Sequence, residues 1–434
     1  MLASVRVLIG LLVAYGAVRF MAEGWVERLL LEPEFFFSYY GFAWVPRPGA
    51  VGAYAIYVLL TAAGVCVAAG YRYRVSAPLL FASFTYSQLL DATNYLNHYY
   101  LLVLLTGLLC FVPAHRRYSL DVAQGRTTAL SRVPAWTVWA FAVQLSLVYV
   151  CAGVAKLNAD WLLEAMPMAV WLPEHRDWPM VGSLLAKPVT AHLASWAGML
   201  YDCTIVAWLL LRRTRRAAYL AVLAFHGLTL AMFNIGLFPL IMVALTTVFF
   251  TPAAHERFWR KLRGLGAAAT ATSERSATEY VGHHRSRSAV PALLAFFALQ
   301  LGLAARPLVY PGPVAWGEEG YRFGWRVMLV EKVGCASFEV RDAASGRSTQ
   351  ASVEELLTPY QVKQMAIQPD FVLQTAQHIA GVYEREYGFA SPEVYAHVAV
   401  SLNGRRSRTL IDPSVDLADV RDGLSPKPWI LPFE

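Results

Sequence analysis

The chain has 434 residues, of which 57% are hydrophobic and 15% charged, and it carries a formal net charge of +7. Apolar residues at this density, with the charges gathered between long apolar segments, exclude an ordinary soluble globular protein and a disordered chain; they describe a membrane protein. The positive balance calls for no nucleic-acid partner, because membrane topology accounts for where the arginines fall.

Segments of roughly 17 to 25 mainly apolar residues, enough to cross a hydrocarbon core of about 30 Å, begin near Ser4, Val51, Val75, Tyr99, Trp136, Leu193, Ala217, Ile235 and Val290. They predict a polytopic α-helical membrane protein with about eight or nine transmembrane helices. The lower count applies if Phe233-Asn234-Ile235-Gly236-Leu237-Phe238-Pro239 is a kinked, re-entrant or discontinuous segment. The first stretch has no convincing small-residue cleavage site and reads as a retained span.

Alternate loops differ sharply in arginine and lysine. One set holds Arg72, Arg74, Arg116, Arg117, Arg126, Arg132, Arg212, Arg213, Arg215 and Arg216. A polar linker over about 252–289 adds Arg257, Arg260, Lys261, Arg263, Arg275, Arg285 and Arg287. The other set offers little beyond Arg28, Arg47, Arg176 and Lys187. The rich side is therefore expected in the cytoplasm, which places the N-terminus inside and, with nine spans, the C-terminus outside.

The cysteines carry little chemistry: Cys66, Cys110, Cys151 and Cys203 lie in or beside apolar segments, Cys335 stands apart, and no CxxC pair exists. His283 and His284 sit in the Ser/Arg-rich linker without partners at zinc spacing, so no metal site is expected.

From about Pro307 the apolar runs shorten to strand length, dividing the chain into a multi-helix domain over 1–306 and a soluble domain over 307–434. Val327–Val330 and Phe338–Arg341 read as strands, and Pro369–Tyr387 as an amphipathic helix. Val394–Leu402 and Ser407–Ile411 flank Asn403-Gly404, a hairpin signal because both central residues must take positive φ. A small α+β or β-sandwich-like unit on the outer ends of the helices is predicted.

Under this topology Lys156, at the end of the fifth span, and His98, at the start of the fourth, both lie at the outer membrane boundary. Each has an ordinary reading: a lysine near a helix end snorkels to the interface, and a histidine beside Tyr99 and Tyr100 joins an aromatic belt. Intramembrane ionisable groups are also commonly functional, and these two converge on one face.

At these residues the sequence resembles the vitamin K-dependent γ-glutamyl carboxylases and their bacterial relatives, the HTTM proteins. Asp91 through His98 is similar to the family segment ending in Asn-His, and Ala152–Trp161, AGVAKLNADW, is similar to its AGxxKLDADW segment. Phe233 through Met242 resembles its IGxFPxxM run, and Gly320–Met328, GYRFGWRVM, resembles its aromatic GYxW segment. Ser401-Leu402-Asn403 with Ile411–Asp416 is similar to its late signature. The first of two neighbouring lysines in the animal segment is Ala155 here, and the chain ends soon after Asp412-Pro413-Ser414-Val415-Asp416, so an animal-type propeptide exosite is not expected.

The resemblance implies a carboxylase that oxygenates a naphthohydroquinone, reduced vitamin K or menaquinol, with O2 and CO2 as co-substrates. Epoxide formation then generates the strong base that removes a γ-proton from a glutamate side chain. It implies Lys156 as the base that starts the sequence, a task open to a lysine neutralised by apolar surroundings. His98 and Asn97 would stand beside it as oxyanion stabilisers. Arg322 and Arg326 suit a substrate carboxylate, or equally surface pairing, and Tyr321 and Trp325 either line a substrate entrance or form docking core. The expected partners are membrane quinol, a glutamate-containing peptide or protein, and a separate quinone or quinone-epoxide reductase, in a bacterial inner membrane. Two alternatives remain: a quinol epoxidase without carboxylation, and a transporter or scaffold with Lys156 as counter-ion, which the lack of clear repeated halves disfavours.

Overall fold

The computed structural model describes residues 1–266 and 283–433. The expected linker over 267–282, with Arg275, lies outside the described residues, as do the side chains of Arg263, His283, His284, Arg285 and Arg287.

Ten longer or functionally placed helices build the first domain: α1 Leu2–Ala22, α2 Ala50–Ala69, α3 Tyr73–Leu89, α4 Asn97–Phe111, α5 Trp136–Ala155, α6 Pro188–Leu210, α7 Arg215–Met232, α8 Phe238–Leu245, α9 Pro252–Gly266 and α10 His283–Ala305. Among the described residues five helices, α1, α2, α5, α6 and α10, are long and apolar enough to cross a membrane. By contrast α3 and α4 have 17 and 15 residues, and the expected eighth span is the short α8 with one further helical turn. The apolar run Phe238–Phe249 then turns through 114° into α9.

Small residues set the tightest crossing. A Cβ on Gly10 would lie 2.5 Å from the Gly64 carbonyl oxygen and 2.6 Å from the Ala68 nitrogen, so α1 and α2 pack backbone to backbone. Close approach of this kind is what drives association where lipid offers no hydrophobic gain. Farther round the bundle, the Gln144 and Gln300 amides exchange hydrogen bonds of 2.8 and 2.9 Å, joining α10 to α5.

The two ends of the bundle differ. At the arginine-rich end the buried Arg6 guanidinium donates to the carbonyls of Ala114, Arg117 and Tyr118 at 3.1, 3.4 and 2.6 Å. The opposite end carries the second domain, an antiparallel sheet of order β2-β1-β3-β4 formed by β1 Lys332–Asp342, β2 Ser348–Ala351, β3 Pro392–Leu402 and β4 Arg408–Thr409. Along β3, Val394, Ala396, Val398, Val400 and Leu402 are buried in alternation. They meet Phe371, Val372, Ala376 and Ile379 of helix α12 Pro369–Glu386, which follows α11 Pro359–Met365. The second layer is helical, so the domain is α+β and not a sandwich. Asn403 and Gly404 both take positive φ, at 51° and 71°, as the hairpin requires. Val327–Val330, expected as a strand, is irregular, and Met328 at φ 51° interrupts any extended run there.

The domain core extends into the bundle. Phe37, from the segment between α1 and α2, is fully buried against Phe371 with ring centroids 4.7 Å apart. The Gln361 amide donates to the Phe35 carbonyl at 2.7 Å and to Asp91 at 3.1 Å. These contacts fix the outer domain over the helix ends where the candidate residues lie.

Candidate functional site

Helix α5 stops at Lys156 because Asn158 begins a new turn, its side-chain oxygen accepting from the Trp161 nitrogen at 3.0 Å. The lysine does not snorkel. Its side chain turns inward, only 5% exposed, and Nζ donates to Asp202 Oδ2 at 2.9 Å. The Trp161 ring lies 5.0 Å from Nζ, and the indole is locked by donation to the Ser195 carbonyl at 2.7 Å. A buried ammonium without a partner is costly, and Asp202, itself 6% exposed in α6, removes the net charge.

The pair lines a cavity of about 340 Å³ whose walls include Tyr149, Phe225, Phe238 and Met242. Tyr149 Oη is 3.2 Å from both His226 Nε2 and Thr246 Oγ1, a second buried polar group in the same space. His98 lines a different cavity, of about 890 Å³, together with Arg19, Asn234 and Tyr360. Ile235, Phe238, Val327 and Met328 line both. Lys156 and His98 therefore stand on two sides of one thin wall. Phe238 is its central ring, with centroids 6.1 Å from His98 and 6.3 Å from His226. The wall exists because α7 breaks at Phe233 and α8 resumes at Phe238, with Gly236 at φ 63° making the turn beside the His98 imidazole.

The remaining wall comes from the outer domain. Residues 320–328 include three non-glycine positions at positive φ, Phe323, Trp325 and Met328, at 64°, 56° and 51°. Each such residue stores on the order of 1 to 3 kcal/mol, so the loop must be held from outside. Tyr95 Oη accepts from the Phe323 nitrogen at 2.8 Å, and Tyr100 stacks on Trp325 with centroids 4.8 Å apart. Asn97 Nδ2 donates to the Arg326 carbonyl at 3.1 Å, and Lys156 Nζ lies 3.5 Å from the Val327 carbonyl. One short segment thus meets both Asn97 and Lys156.

The other expected site residues divide. Trp325 is fully buried, and its indole N–H has no hydrogen-bond partner among the described residues. Neither it nor Tyr321 lines the two cavities above. Arg322 is occupied: it grips Asp370 at 2.5 and 3.2 Å, bonds Gln368, and covers the Phe371 ring at 4.4 Å. Burial pushes the Asp370 carboxyl up, but the Arg322 guanidinium outweighs it and leaves the carboxyl below its usual range. Arg326 is part-buried, its Nε lacking a partner among the described residues. Asn97 spends its amide donor on backbone, which makes it a positioning residue in this geometry.

The segment after Lys156 ties the domains. Asp160 accepts from Arg405 at 2.6 and 2.8 Å and from Asn403 at 2.7 Å, and Asn403 also exchanges bonds of 2.7 and 2.9 Å with the Glu331 backbone. Bonding to Arg405 holds the Asp160 carboxyl below its usual range. A depressed carboxyl contributes stability that is complete above its unfolded value of about 3.9 and is lost as pH falls through the folded value. Asp160→Asn is therefore expected to loosen the outer domain by about 1 kcal/mol at neutral pH. Acid should produce the same loosening in the unsubstituted protein below roughly pH 4. Protease susceptibility of the domain against pH checks this; matching curves for the two proteins at neutral pH would refute the tie.

Sequence reasoning passed over Asp202, Tyr149 and His226. Asp202 had a readable signal, an acid inside an apolar segment, but its pairing with Lys156 depends on how α5 and α6 cross, where Gly153 packs against Asp202 and Cys203. Compared with known families, residues 1–253 match the HTTM domain, and residues 285–434 match the domain described as vitamin K-dependent gamma-carboxylase, lumenal domain. No solved structure matches the chain significantly.

Proposed function

Because the chain belongs to the vitamin K-dependent gamma-carboxylase family, with an HTTM domain followed by the lumenal domain, we propose that it couples oxygenation of a membrane naphthohydroquinone such as menaquinol to carboxylation of a glutamate side chain. The observation that carries this reading is a buried lysine, paired with Asp202, in a mainly aromatic and aliphatic cavity beside the wall that bears His98.

The donor set suits a flat apolar ring with hydroxyl groups: Phe225, Phe238 and Trp161 offer faces, while Lys156 and Tyr149 offer the polar atoms. When bound, the hydroquinone supplies, with O2, a base far stronger than any side chain. Lys156 receives a hydroxyl proton at Nζ. To do so it must first release the proton that its pairing with Asp202 holds, and the nearest acceptor for that proton is Asp202 Oδ2 at 2.9 Å. The pair thus moves one proton over a single hydrogen bond without changing the buried net charge. On the far side of the wall His98 and Arg19 face a larger, more polar cavity suited to a glutamate carboxylate. Phe238 and the loop over 326–328 keep water from crossing between the two spaces.

In this reading the protein lies in a bacterial inner membrane, the arginine-rich end in the cytoplasm and the soluble domain outside. A reporter cysteine replacing Gly404 is expected to react with an impermeant maleimide in intact cells. Reaction only after the cytoplasm is opened would reverse the orientation. The activity itself is tested by incubating the purified full chain with reduced menaquinone, O2 and bicarbonate, and analysing quinone and candidate peptides separately by mass spectrometry. Quinone epoxide and a carboxylated glutamate are expected; absence of both would defeat the proposal.

A further inference from the structure

The arginine-rich end holds a cavity of about 680 Å³ that shares no lining residue with the cavities of Lys156 and His98. Its rim presents Arg116, Arg117, Arg212 and Arg215, with Glu256 as the carboxylate among the described lining residues. Arg116 and Arg215 bond neutral acceptors, Thr128 and the carbonyls of Leu209 and Leu210, which hold those guanidiniums in place without cancelling their charge. Arg117 bonds Glu256 at 2.8 Å, so among these four arginines and Glu256 the balance is positive. The floor is different in kind: Val138, Trp139 and Phe249 carry the cavity down among the apolar helices.

The same end is shaped by α9. After the 114° bend this helix runs across the bundle end, held by His255 Nδ1 at 2.9 Å from Ser4 Oγ and by the Trp259 indole donating to the same oxygen at 2.9 Å. Basic residues at the rim, apolar residues below and a helix lying across the boundary form a recess for a molecule that is anionic at one end and apolar at the other.

We infer that this cavity is a binding site for an anionic phospholipid, its phosphate among the rim arginines and an acyl chain against Trp139 and Phe249. Charge complementarity selects the headgroup, and the apolar floor selects a lipid over a free anion. The site is independent of the reaction proposed above.

The test uses the full chain purified with an equimolar mixture of phosphatidylglycerol and phosphatidylcholine, with retained lipid counted by native mass spectrometry. Selective retention of phosphatidylglycerol is expected, falling roughly five-fold for each rim arginine neutralised, as in Arg212→Gln and Arg117→Gln. Arg212 is exposed, so its substitution spares the fold even if that of Arg117 does not. Arg213→Gln and Arg216→Gln, exposed on the same surface but outside the cavity, should retain lipid normally. Equal losses in both sets would overturn the inference in favour of diffuse surface charge. Displacement by excess inorganic phosphate at constant ionic strength would overturn it in favour of a free-anion site.

Discussion

Lys156→Arg is expected to lose hydroquinone-dependent epoxide formation by about 100- to 10,000-fold, the range that separates a positioned general base from none. The guanidinium keeps a positive charge beside Asp202 and would satisfy a purely structural pairing, but it cannot give up a proton at ordinary pH. Lys156→Ala should lose the same activity for another reason and should regain part of it when a small primary amine is added, because the vacated side chain leaves room in a cavity already about 340 Å³ in volume. Asp202→Asn separates charge balance from base strength. It strips the buried ammonium of its counter-ion, for which a stability loss of about 3 to 5 kcal/mol is the usual scale, and it removes the nearest proton acceptor. Thermal unfolding and epoxide assays on the three variants check the set. Full turnover by Lys156→Arg would end the base assignment.

His98→Ala is expected to lower carboxylation by about 100- to 1,000-fold while the protein is still made and extracted normally, the usual cost of losing one preorganised polar stabiliser. Its place on the far side of the Phe238 wall makes a sharper demand. If the two cavities divide the reaction, epoxide formation should survive in His98→Ala better than glutamate carboxylation does, and Lys156→Ala should lose both together. Measuring the two products separately decides it; near-normal carboxylation would return His98 to the aromatic belt.

Much of this arrangement was legible in the sequence. Apolar run length is a local property, and it marked where most of the helical segments lie. The Asn403-Gly404 hairpin followed from its φ requirement, and the break at Phe233–Pro239 from glycine and proline inside an apolar run. What stayed hidden depends on contacts between segments distant in the chain. Arg322 suited a substrate carboxylate or a surface pairing alike until folding brought Asp370 to it, and Lys156 looked solitary until α6 crossed α5. The strand expected at Val327–Val330 failed for a similar reason. Its β-branched residues favour extension, but the segment is bent to present carbonyls to Asn97 and Lys156. Span length misled as well, since α8 is too short to cross alone and its apolar character reflects the wall it builds.

The loop over 320–328 bears on biogenesis. It is made after α10, the last apolar helix, whose apolar stretch is only 6% buried in the bundle. A ribosome working from the N-terminus therefore completes Lys156, Asp202 and His98 well before Val327 and Met328 exist, and the C-terminal domain must fold before its loop can close over them. Until then the lysine's chamber lacks a side and the strained residues lack their clamps. Under the reaction proposed above, turnover therefore begins only once residues 326–328 have closed over Lys156, which ties the start of the chemistry to docking of the C-terminal domain.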